Sequence, residues 1–480
     1  MGKHAVLKAL AARPADALVL AGGERNWSAT EVGREIAALG ERLADARVVA
    51  ALADNGPAWA IADLATLAAG RVHLPLPGFF SPEQLRHALE QAAADTVLTD
   101  QPERIGALDL GFAITGRWQG LTWLRRPLGT ANLPAGTAKI SFTSGSTGAP
   151  KGVCLSADGL HDTAQALVRR LADLPLASHL AVLPLGLLLE NVAGLYAPLL
   201  RAMPVHLPPL ADLGWRGMAG FDPAALQAAV AAAQPGSLIL VPELLKAWSL
   251  YLAASGQRPP ASLCYVAVGG ARIAPDALLQ ARALGIPAYQ GYGLTECGSV
   301  VCLNRPGDDG DGVGRPLEHA GIRIAGGEVL IHSRAFLGYV GANARASGVE
   351  FASGDLGEIS SDGHLHLAGR RKNLLITSFG RNISPEWVES VLLAQPAIMQ
   401  AVVAGEAQAA LSAVLAPRPG VSDDDIAAAV AAANQRLPDY ARIGQWQCSP
   451  PFSPANGLAT GNGRPLRAAI AARFFPNFPC

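Results

Sequence analysis

Basic runs are missing from this chain, and lysine itself is scarce: only six of its 38 Lys and Arg residues are lysine. With a formal charge of −1 there is no concentrated basic face for a phosphate backbone, so no nucleic-acid partner is expected. A long uninterrupted apolar run is also missing. Met1 to Leu20 is broken by Lys3, Lys8, Arg13 and Asp16, so no signal peptide is expected. The most apolar window, Leu180 to Leu200, contains Pro184, Glu190, Asn191 and Pro198, and predicts a buried segment, with no transmembrane segment. The six cysteines form neither a C-x-x-C pair nor zinc-like spacing. Reduced thiols, a cytoplasmic location and no metal site built from cysteine are the expectation.

At 480 residues and 50% hydrophobic, the chain is too long for one ordinary core and suits two or three packed units. From Asn26 to Asp100, helix-like stretches such as Thr30 to Leu43 alternate with apolar runs such as Val48 to Leu52 and His73 to Leu76. A second round comprises helix-like His161 to Ala172 and Pro223 to Ala233 with the runs His179 to Leu183, Ser237 to Val241 and Ser262 to Val268. These runs predict layered α/β units with buried parallel strands. Beyond Gly312 the pattern changes to short alternating strands, as in Gly321 to Ile331, which predicts a small β-subdomain. A main boundary is expected near 369–372, and Ser422 is placed to cap a helix over Asp423 to Gln435.

What the chain does have is a loop dense in hydroxyls and glycines. Ile140 and Phe142 can end a buried strand, and Thr143, Ser144, Gly145, Ser146, Thr147, Gly148, Pro150, Lys151 and Gly152 follow. The glycines let the backbone turn closely against a ligand, the hydroxyls donate, and Lys151 brings a positive charge: the chemistry of a phosphate cradle. The spacing is not that of the P-loop, because Pro150 precedes Lys151 and Gly152 follows it.

Four further segments follow in order: Val268-Gly269-Gly270-Ala271, Gln290-Gly291-Tyr292-Gly293-Leu294-Thr295-Glu296, Ser353-Gly354-Asp355, and Gly369-Arg370 with Lys372. Together with the loop they resemble the adenylate-forming superfamily, which includes acyl-CoA synthetases, luciferases and adenylation domains of peptide synthetases. The resemblance covers nearly the whole chain. It implies an α/β fold with a large N-terminal AMP-binding domain (1–368) of layered α/β subdomains plus a small β-subdomain. A hinge (369–372) and a small mobile α+β C-terminal lid (373–480) would complete it. It also implies that ATP is bound by the loop, with adenine on the turn of Gly269, Gly270 and Ala271 and stacked on Tyr292. Thr295 would contact phosphate, Glu296 would hold Mg²⁺, and Asp355 would accept from the ribose hydroxyls. Arg370 would meet ribose and phosphate, Lys372 falls at the hinge, and the loop around Gly380 would line the tunnel of an incoming thiol, from CoA or from phosphopantetheine on an acyl carrier protein.

The chain departs from that pattern near its C-terminus. The superfamily places a lysine in an Asn-Gly-Lys-like stretch; here Asn462-Gly463-Arg464 stands there, and no lysine follows Lys372. Arginine keeps the charge in a bulkier, planar form. Two readings stay open: Arg464 is a working substitute, or the first step is lost and the chain is a non-catalytic nucleotide or acyl-adenylate binder. For the acid, Leu183 to Asn191 resembles a stretch of long-chain acyl-CoA synthetases, with Leu187 where a His is usual. A fatty acid or related carboxylic acid is the expected substrate, although such a run is also what plain core looks like.

Overall fold

Hydroxyl caps start several of the helices. The Ser28 side chain accepts from Glu31 N–H while the Glu31 carboxylate accepts from Ser28 N–H, which begins the helix Ala29–Arg42. Ser422 and Asp425 do the same for Asp423–Gln435, where the sequence placed that helix and its cap. The computed structural model describes residues 4–23, 25–143, 150–217, 220–310, 312–343, 345, 348–378, 380–460 and 463–475. Ser144, Gly145, Ser146, Thr147 and Gly148 of the expected phosphate loop lie outside these residues.

Among the described residues the large domain holds two big sheets. In the eight-stranded sheet, Val48–Leu52 lies parallel to both Val72–Pro75 and Thr96–Thr99. The strand Thr137–Thr143 joins beside Val72–Pro75 and returns antiparallel as Lys151–Ser156. In the nine-stranded sheet, His179–Leu180, Ser237–Leu240, Tyr265–Val268 and Ala288–Leu294 are parallel neighbours. Their inner strands are buried on both faces because helices cover them. A four-stranded antiparallel sheet follows, in which Gly326 and Gly327, at φ +56° and +78°, turn Gly321–Ala325 into Glu328–His332. The last hundred residues build a separate core around Ile398–Ala404, Leu411–Pro417 and Ile443–Cys448. The fold is mixed α/β with a large N-terminal and a smaller C-terminal domain, as the sequence implied.

The apolar window 180–200 departs from expectation in detail. Strand structure stops at Leu180, and Glu190–Tyr196 forms a π-helix in place of a continued α-helical face. Its wider turn directs Glu190, Asn191 and Tyr196 into the interior, where each finds a polar partner. Glu190 faces His179 Nε2 at 2.9 Å, and burial raises its pKa against that contact. Lys139, only 2% exposed, donates to Asp63 Oδ1 at 2.7 Å, to Tyr196 Oη at 3.2 Å and to Asn191 Oδ1. His73 Nδ1 lies 2.5 Å from the same Asp63 oxygen. Burial opposes ionisation of Asp63, but Lys139 and His73 outweigh it and hold the carboxyl well below its usual range. One helix, two strands and the π-helix are thereby tied at a single buried carboxylate. Removing one partner leaves the other charge uncompensated, so Lys139→Met is expected to cost about 3–5 kcal/mol. The shift of the urea unfolding midpoint measures it; a loss under 1 kcal/mol would show that the pair carries little.

Candidate active site

The site forms where the two large sheets, the small sheet and the C-terminal domain meet. Its first part hangs on the hairpin of Thr137–Thr143 and Lys151–Ser156, whose register pairs Thr143 with Lys151. Lys151 is exposed, and its ammonium stands 5.8 Å from the centre of the Tyr339 ring. Tyr339 donates to Glu296 Oε1 at 3.0 Å, and burial, then Glu296, pushes its phenol up to about 12. An open pocket of about 450 Å³ lies against Phe142, Lys151 and Tyr339. This end therefore presents a cation, a hydroxyl and a single carboxylate. Among the described residues no three His, Cys, Asp or Glu gather to hold a metal. A lone carboxylate matches an ion such as Mg²⁺, which keeps waters and takes most remaining ligands from substrate phosphates.

The second part surrounds Asp355, which is 5% exposed. The strands Phe351–Ile359 and Leu365–Arg370 pair Asp355 with Arg370, and Arg370 Nε donates to Asp355 Oδ1 at 2.8 Å. Tyr292 Oη donates to Oδ2 at 2.6 Å. The Ser353 hydroxyl, where the superfamily has Thr, accepts from Asp355 N–H at 3.0 Å and donates to the Val329 carbonyl, fixing the turn. Each carboxylate oxygen keeps a free lone pair for a further donor. Desolvation and the Asp355 charge hold the Tyr292 phenol well above its ordinary pKa.

Glycines make the third part possible. Gly269 N–H donates to the Leu240 carbonyl, and a Cβ on Gly269 would stand 3.7 Å from both Gly291 O and Leu189 Cδ2. The Gly269–Gly270 turn, the Tyr292 strand and the apolar segment before the π-helix therefore converge. A Cβ at Gly293 would run into the Ser299 carbonyl, so this strand admits only glycine there. Beside Ala271, Arg272 donates to the Leu367 carbonyl at 3.0 Å and ties the turn to the Arg370 strand. Arg464 Nη2 reaches Gly270 O at 3.4 Å from the C-terminal domain. Although its side chain keeps solvent access, the cleft walls and nearby Arg370 lower its pKa, with Glu243 opposing.

Thus Gly269, Gly270, Tyr292, Asp355, Arg370 and Arg464 come together, and Thr143, Lys151 and Glu296 form a second group joined to them through the chain from Tyr292 to Thr295. Lys372 is exposed in the short turn Arg371–Asn373 after Arg370. Gly380 lies in a hairpin that bonds to residues 407 and 408 of its own domain. Tyr339 was missed by sequence reasoning; it falls in no motif, and only the strand Phe336–Tyr339 docking on Lys151–Ser156 brings it to Glu296.

The cleft brings together a cation, two carboxylates and two tyrosines. The chain belongs to the AMP-binding enzyme family, whose model matches residues 7–333, and its AMP-binding enzyme C-terminal domain matches 372–476. A long-chain-fatty-acid–CoA ligase of Mycobacterium bovis is 28% identical over 74% of this chain and 70% of its own length. A feruloyl-CoA synthase of Amycolatopsis is 29% identical over 78% and 79%. The crystal structure of the anthranilate CoA ligase AuaEII with anthranoyl-AMP superposes with a TM-score of 0.82 over 98% of this chain and 97% of that one, at 19% identity, a likeness of fold.

Because the Asp355 charge adds to burial in holding the Tyr292 phenol well above its ordinary range, Asp355→Asn is expected to bring it down toward the ordinary value without reaching it. Ultraviolet difference titration up to about pH 12, against Tyr292→Phe, looks for a phenolate onset in Asp355→Asn that the native chain lacks. An unchanged profile would mean that burial alone sets the phenol.

Proposed function

We propose that this chain is an AMP-forming acid–thiol ligase that activates a medium- or long-chain fatty acid and passes the acyl group to CoA in the cytoplasm. The observation that carries the catalytic reading is the approach of Arg464 to Gly270, with Arg370 on Asp355 beside it. A binder that had lost its first step would not need the substituted cation delivered to the nucleotide turn. The placement of Leu189 against Gly269 supports an apolar acyl chain next to the adenylate, as does the ligase relative from Mycobacterium.

In the first step a carboxylate oxygen of the acid attacks the α-phosphorus of ATP, and pyrophosphate leaves. Two anions must meet, so cations and N–H donors supply most of the rate. Lys151 and Arg464 would flank the reacting groups from opposite domains, while Asp355 and Arg370 would hold the ribose. Mg²⁺ held at Glu296 would neutralise phosphate charge. In the second step a thiolate attacks the acyl carbon, and AMP leaves with the C–O bond electrons. The feruloyl-CoA synthase relative supports a second reading, an aryl acid in the same apolar site; transfer to a carrier-protein phosphopantetheine would use the same chemistry.

Pyrophosphate release from MgATP across fatty, aryl and amino acids, with and without CoA, tests the proposal. Fatty-acid-dependent release, with AMP and acyl-CoA formed when CoA is present, is expected, and Arg464→Ala should lower it by roughly 10²–10³-fold. A native chain silent with every acid, alongside an active Arg464→Lys, would overturn the catalytic reading.

A further inference from the structure

Among the described residues, three cationic links between the C-terminal domain and the large one stand out. Arg436 pairs with Asp276 at the surface, where each side chain is 39% exposed and such a pair contributes little. Arg464 reaches Gly270. The third is Lys246, in the second turn of the helix Pro242–Ser255 of the large domain. Its half-buried ammonium donates to the carbonyls of Leu393 at 2.5 Å, Gln395 at 2.7 Å and Ile398. Leu393 ends the helix Pro385–Leu393, so the lysine satisfies a carbonyl left over at a helix C-terminus, where the macrodipole favours a cation, and reaches the two carbonyls of the chain that follows. All three donors of the ammonium are used across the domain boundary.

The same helix start also touches the site. Val241, its N-cap, is the nearest neighbour of a Cβ built on Gly270, and Glu243, three residues before Lys246, lies within electrostatic reach of Arg464. One helical turn therefore both grips the small domain and borders the spot to which that domain delivers its arginine. We infer that Lys246 is a positioning residue, a latch that holds the C-terminal domain in the pose in which Arg464 serves adenylation; the catalytic half of this inference rests on the ligase reading above.

Lys246→Met keeps the aliphatic stem and removes the donors. In the full-length protein, adenylation read as acid-dependent pyrophosphate–ATP exchange is expected to fall at least tenfold, while thioester formation from supplied acyl-adenylate and CoA stays within twofold. In an Arg464→Ala background the same change should add little, since both act through one contact. Trypsin cleavage after the exposed Arg371 and Lys372 should quicken at least threefold, without a matching drop in melting temperature. Equal loss in both half-reactions, full additivity with Arg464→Ala, or unchanged cleavage would overturn the latch. Faster cleavage in a protein that activates no acid would support the latch and refute the ligase.

Discussion

The carboxylate of Asp355 holds three parts of this molecule in register. It takes Arg370 from the neighbouring strand of the small sheet and Tyr292 from the end of the nine-stranded sheet, and Arg370 is followed at once by the chain's passage into the C-terminal domain. A nearly buried charge with two donors is stable only when both remain in place, because losing either leaves an ion without its compensation. The position of the Tyr292 hydroxyl and the starting direction of the small domain are thus set by one ion and its partners. The Tyr339 hydroxyl bonded to Glu296 repeats the device beside Lys151.

Behind the site a second ionic arrangement does different work. Asp63, Lys139, His73, Asn191 and Tyr196 meet far from solvent, between the helix Pro57–Ala68, two strands and the π-helix. Lys139 sits in the strand that ends at Thr143, and Asn191 follows directly on the segment containing Leu189. The strand that ends at Thr143 and the apolar segment are therefore anchored to the same buried carboxylate. Such networks add little stability over well-packed apolar residues, but they admit few alternative arrangements.

Much of the fold was legible because its signals are local. Val48–Leu52 and Pro223–Ala233 fall where an apolar run and a helix-like stretch placed them, and Ser422 caps as its position promised. The π-helix was not legible: Leu187 to Tyr196 reads as an apolar face, and only inward-pointing partners such as His179 and Lys139 explain the wider turn.

The sequence by itself determined the chemistry on offer: which backbone positions must be glycine, where a carboxylate follows a turn, and that an arginine replaces the last lysine. These depend on residue type and near neighbours. Tertiary structure alone decided which charges meet. Nothing within a short window pairs Lys246 with carbonyls about 150 positions later, or Arg464 with a turn 194 positions earlier, because such contacts exist only once separately folded units dock.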